Sequence, residues 1–114
     1  MLSPDIESIY NTVIEVRGVE GVFKVDADGF LSQALNTTSV DPEAVASVTA
    51  IATQACRKIG SDFKYGNLLR IFLEFEDGNL VIGYYHDIMI VVMGSLTMVA
   101  GEVLAALESL SPPA

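Results

Sequence analysis

Three polar pairs, Asp28-Gly29, Asp77-Gly78 and His86-Asp87, each stand between short apolar runs, and longer apolar-striped segments lie before, between and after them. Polar two-residue pairs in that setting read as hairpin turns, because they reverse a chain whose flanks alternate like strands. The order is then helix, two strands, helix, three strands, helix. An α-β-β-α-β-β-β-α chain of this kind predicts an α/β (α+β) domain, one five-stranded antiparallel sheet flanked by helices. With 114 residues the chain is read as a single domain over 1–114.

The first helix is expected to start at Ser3-Pro4-Asp5, with a capping hydroxyl, a first-turn proline and an acid at the positive dipole end. Ile6, Ile9, Tyr10, Val13 and Ile14 then repeat at helical spacing, and Gly18 closes the segment. Val19 to Ala34 reads as strand, turn, strand, and Leu35 to Val40 as a polar connector. Asp41-Pro42-Glu43 opens the second helix. Ala44, Val48, Ile51, Ala52, Ala55, Ile59 and Phe63 draw one apolar stripe along it, and Val45, Thr49 and Cys56 a neighbouring stripe of smaller residues. The two stripes are wider than one sheet face needs. Gly60 is expected to let the last turn fray before Gly66.

From Leu68 to Phe75, Leu69, Ile71, Leu73 and Phe75 share one side, while Leu68 and Phe72 interleave with Arg70 and Glu74 on the other. Leu80 to Tyr85 and Ile88 to Met93 are also apolar on both sides, so cover is required on both sheet faces. The last helix is expected from Ser95, through Leu96, Val99, Ala100, Val103, Leu104, Leu107 and Leu110, to Pro112-Pro113.

Hydrophobic residues make up 51% of the chain, and its mean hydropathy is +0.46. That is more apolar surface than so short a chain hides easily, and it implies a partner. Six Lys plus Arg against 15 Asp plus Glu give a net charge of −9, which repels nucleic acid and anionic lipid alike. The charge-free run from Ile88 to Gly101 is too short for a bilayer, so no membrane insertion is expected. A lone Cys56 and an acidic start, Asp5 and Glu7, fit a reducing cytoplasm. Only Met1 to Pro4 and Ser111 to Ala114 flank the elements, so no function of long arms is expected.

Chemistry is sparse. His86 beside Asp87 suggests a general base with an orienting acid, but neighbours in a turn point apart and no nucleophile is placed nearby. Cys56 reads as a packing residue. One His and one Cys give no metal-ligand quartet, and Asp26-Ala27-Asp28-Gly29 lacks the later ligands of a calcium loop. Gly18-Val19-Glu20-Gly21 is followed by no Gly-Lys-Ser/Thr, so it is not a phosphate loop. Arg17, Arg57 and Arg70 are read as solvated or paired, and Glu74, Glu76 and Asp77 as a solvated acidic edge. No catalytic residue, metal or cofactor is assigned.

The run Gly18-Val19-Glu20-Gly21-Val22-Phe23-Lys24-Val25-Asp26-Ala27-Asp28-Gly29-Phe30 resembles the opening hairpin of the roadblock family, relatives of the dynein light chain roadblock. The resemblance continues through Asp41-Pro42-Glu43-Ala44-Val45-Ala46, Leu69-Arg70-Ile71-Phe72-Leu73-Glu74 and Asn79-Leu80-Val81-Ile82, and covers about Ile6 to Leu110. It implies a roadblock/profilin-like sheet and a homodimer, or a heterodimer with a paralogue, in which the second helices pair and the sheets join through the third strand. Prokaryotic members of the family are associated with small Ras-like GTPases as regulators or activating partners, and eukaryotic ones serve as scaffolds. The expected interface is Val45, Thr49, Ala52 and Cys56 on the helix and Leu69, Ile71 and Leu73 on the strand. On this reading Ile51→Asp unfolds the domain, whereas Thr49→Arg spares the fold and weakens self-association. The function implied is a non-enzymatic dimeric GTPase regulator; the alternatives are a dimerisation scaffold and a small-molecule sensor.

Overall fold

The computed structural model describes residues 6–85 and 88–109, and Tyr85 by its backbone alone. Its elements are α1 (Ile6–Val13), β1 (Val19–Val25), β2 (Leu31–Asn36), α2 (Pro42–Asp62), β3 (Ile71–Phe75), β4 (Gly78–Tyr85), β5 (Ile88–Gly94) and α3 (Ala100–Glu108). This is the order read from the turns. The expected helix start at Ser3-Pro4-Asp5, the His86-Asp87 turn and the stop at Pro112-Pro113 lie outside the described residues.

All five strands join one antiparallel sheet in the order β2-β1-β5-β4-β3. β2 and β3 are therefore its two edges, and α2 carries the chain from one edge to the other. Strand alternation sends Val22, Val81, Ile90 and Val92 to one face, where they meet Ile6, Ile9 and Val13 of α1 and Val103 of α3. Phe23, Val25, Ile82, Met89 and Val91 go to the opposite face, under α2. The two-sided apolarity of β4 and β5 thus has its cause in helices on both faces.

Local chemistry fixes the joints. Asp41 caps α2 by accepting from the Glu43 amide at 3.1 Å, with Pro42 in the first turn. In the β1–β2 connection the Asp26 carboxylate accepts from the amides of Asp28 and Phe30, both at 3.0 Å, and Gly29 takes φ +86°. The amide of Ile6 donates to Gln33 Oε1 at 3.0 Å, tying α1 to β2.

Four expectations shift. β2 extends to Asn36, whose side chain then organises the connector through Thr38 and Val40. The second turn is Glu76-Asp77, because Gly78 pairs with Phe75 inside the ladder. The helix expected from Ser95 starts at Ala100: the Ser95 hydroxyl accepts from the Thr97 amide and the Ser95 carbonyl from the Met98 amide, which makes a turn there. Gly60 marks tightness instead of fraying. A Cβ there would stand 2.5 Å from the Gly66 carbonyl oxygen, and the Gly60 carbonyl accepts from the Tyr65 amide at 2.8 Å, so the return loop is clasped against α2.

Candidate interaction surface

α2 presents its apolar residues the opposite way from the sequence reading. Facing the sheet are Ala46, Thr49 and Thr53, while Val48, Ile51, Ile59 and Phe63 point outward with exposures between 51% and 68%. A hydroxyl can face the core here because each has an acceptor, one within the helix and one on the sheet. Thr49 Oγ1 donates to the Val45 carbonyl at 2.6 Å, and Thr53 Oγ1 donates to Met89 Sδ at 3.3 Å. Small residues also bring the helix close to the sheet, leaving the bulky stripe outside.

The interface residues expected from sequence therefore divide. Thr49 is 6% exposed and Ile71 8%, both committed to the protomer's own core, so they are corrected from surface to interior. Val45, Ala52, Cys56 and Leu73 are half-buried, and Leu69 is 69% exposed just before β3. Cys56 packs against the α2-side core, a packing position as expected. Hydrophobicity alone does not say which of two adjacent stripes meets the sheet, and for that reason the sequence reading seats the large outward residues of α2 in the core.

A second apolar surface lies at the far edge of the sheet. β3 is an edge strand, and Phe72 and Phe75 on it are 49% and 62% exposed. On the α2 side, Leu73, Leu80 and Met93 are only partly buried, since α2 lies chiefly over β1 and β2 and leaves the β3–β4 end of that face thinly covered. Charge is distributed unevenly along the same strip. Arg57, Lys58, Lys64 and Arg70 stand before β3, and Glu74, Glu76 and Asp77 at its far end. Lys58 is engaged with Asp62 at 2.8 Å, an exposed i,i+4 pair.

Elsewhere the arrangement offers little chemistry. Among the described residues there is no group of three or more His, Cys, Asp or Glu able to hold a metal. Nor is any helix among them long and apolar enough to cross a membrane. His86-Asp87 lies outside the described residues. The Arg57 guanidinium sits 5.1 Å from the Tyr84 ring centroid, and the Tyr84 hydroxyl is buried without a hydrogen-bond partner. A cavity of about 60 Å³ lies beside them, lined by Asp26, Gln54, Arg57, Tyr84 and Met89 among others. That is room for a few waters, far below the several hundred Å³ of a typical small-molecule site.

A family model described as the Roadblock/LC7 domain matches residues 6–94. The chain belongs to the Roadblock/LC7 family. The sheet and flanking helices of this roadblock chain resemble a Roadblock/LC7 domain from Streptomyces avermitilis, with TM-score 0.82 and 14% identity over 96% of this chain and 92% of that one. Myxococcus xanthus MglB gives TM-score 0.79 and 18% identity over 94% and 91% of the two chains. The gliding protein MglB of Thermus thermophilus gives 0.77 and 14% over 92% and 81%. At these identities the likeness is one of fold. No curated protein matches the roadblock sequence.

Proposed function

We propose that this roadblock chain is a non-enzymatic regulator that pairs with a second copy and binds a small Ras-like GTPase. The observations that carry the reading are the outward stripe of Val48, Ile51 and Ile59 on α2 with Phe63 at its C-cap, and the β3 edge of the sheet with its exposed Phe72 and Phe75. Exposed large apolar residues on a helix and a bare strand edge together are a liability in a monomer and a ready interface in a dimer. The net charge of −9 favours a basic partner face. GTPase regulation comes from the family resemblance described above.

The test mixes the purified protein with small GTPases encoded near its gene, loaded with GTP or with GDP, and follows association and hydrolysis. Binding together with altered hydrolysis supports a regulator. Binding at an unchanged hydrolysis rate leaves a scaffold, and absence of binding in both nucleotide states overturns the GTPase reading.

A further inference from the structure

We propose that the cleft bounded by the C-terminal part of α2, the loop that follows it and β4 binds a small phosphate-bearing anion through Arg57 and Lys64. The proposal stands apart from self-association and GTPase binding, since no residue of the outward α2 stripe or of β3 lines this cleft.

The cleft has a volume of about 820 Å³, within the range of small-molecule sites. Arg57 and Ser61 come from α2, Lys64 and Asn67 from the loop after it, and Leu68 and Tyr84 supply an apolar part. Its charge runs against that of the chain. Asp and Glu number 15 against six Lys and Arg, yet two of those six cations line this one cleft and no acid does. Among the described residues neither Arg57 nor Lys64 has a carboxylate partner. Two like charges lining one space repel, and an anion between them relieves that repulsion.

A helix C-terminus ordinarily disfavours an anion, because its free carbonyls carry the negative end of the dipole. Here those carbonyls are occupied. The oxygens of Ile59, Gly60 and Ser61 accept from the amides of Phe63 at 3.0 Å, Tyr65 at 2.8 Å and Lys64 at 3.2 Å. Asp62, the acid of that last turn, is engaged with Lys58 at 2.8 Å.

The donor set selects phosphate. A guanidinium, an ammonium, a hydroxyl and a carboxamide, drawn from two segments, suit a tetrahedral anion with several acceptor oxygens, whereas a planar carboxylate is satisfied by one guanidinium alone. Tyr84 adds an independent mark. Its ring seats the Arg57 guanidinium at 5.1 Å, which places the cation without spending its N–H donors. The hydroxyl of the same tyrosine is buried without a hydrogen-bond partner, and Arg57 and Tyr84 also line the adjoining 60 Å³ cavity. An unused buried donor beside an unpaired cation is an arrangement that an anion completes.

The experiment titrates the full chain at low salt with inorganic phosphate, phenyl phosphate and succinate by calorimetry. Both phosphates are expected to bind with Kd of about 1 mM or tighter, and succinate at least about tenfold more weakly. Arg57→Gln and Lys64→Asn remove exposed cations, the second with a residue that tolerates the φ of +60° at position 64. Circular dichroism checks that each variant keeps the fold. Each is expected to weaken phosphate binding by about tenfold, while Arg17→Gln, the same loss of charge at an exposed position outside the cleft, is expected to stay within about twofold. Absence of phosphate binding at about 10 mM overturns the proposal. So does binding that Arg57→Gln leaves unchanged, that Arg17→Gln weakens as much, or that succinate matches.

Discussion

Thr49 and Ile51 are two residues apart on α2 and face opposite ways, the first 6% exposed against the sheet and the second 68% exposed. Two helical residues subtend about 200°, so a reading that seats one of them on the sheet must expose the other. The consequences for mutation are the reverse of those read from hydrophobicity.

Ile51→Asp is expected to leave the protomer folded, since the side chain already lies in solvent. Where two α2 stripes meet, it places a carboxylate on each side of an apolar contact. Circular dichroism should show an unchanged melt at low concentration, and light scattering should show a monomer.

Thr49→Arg is expected to unfold the protein or lower its stability by several kcal/mol, because a long cation would enter the space between α2 and the sheet without a partner. Urea titration measures it. A variant with wild-type stability would contradict the placement of this face.

Gly60→Val is expected to destabilise by about 1–3 kcal/mol, since its side chain meets the Gly66 carbonyl oxygen in the clasp that closes α2. Thermal melts check this. Helix propensity alone predicts the opposite sign, as Gly is the poorer helix former.

Tyr84→Phe is expected to be neutral or to stabilise by up to about 1 kcal/mol, because it removes a buried hydroxyl that has no hydrogen-bond partner. The ring that Arg57 stacks on is kept. A clear loss of stability would show that the hydroxyl is satisfied in solution, for instance by water in the adjacent small cavity.

Much of the architecture is legible along the chain. Asp41-Pro42 places the start of α2 by capping chemistry that acts within three residues. Alternation places Val81 and Ile82, and Val91 and Val92, on opposite sheet faces. Asp28-Gly29 marks the first hairpin, where Asp26 and Gly29 close the turn locally. The candidate surface is only partly legible. Leu69 is exposed as an interface residue must be, but Thr49 and Ile71 are spent inside the protomer, and Ile51, Ile59 and Phe63, core residues by hydrophobicity, face solvent. No local signal separates two adjacent apolar stripes on one helix.

The amino-acid order by itself determined the succession of elements, the strand faces and the helix caps, because those depend on contacts and periodicities within a few residues. Only the tertiary structure decided which side of α2 meets the sheet and the order in which the five strands join. Both depend on β1 pairing with β5 and on how closely Ala46, Thr49 and Thr53 let the helix approach, contacts that join residues far apart in the chain. The bulky stripe is outside because the small residues pack closer.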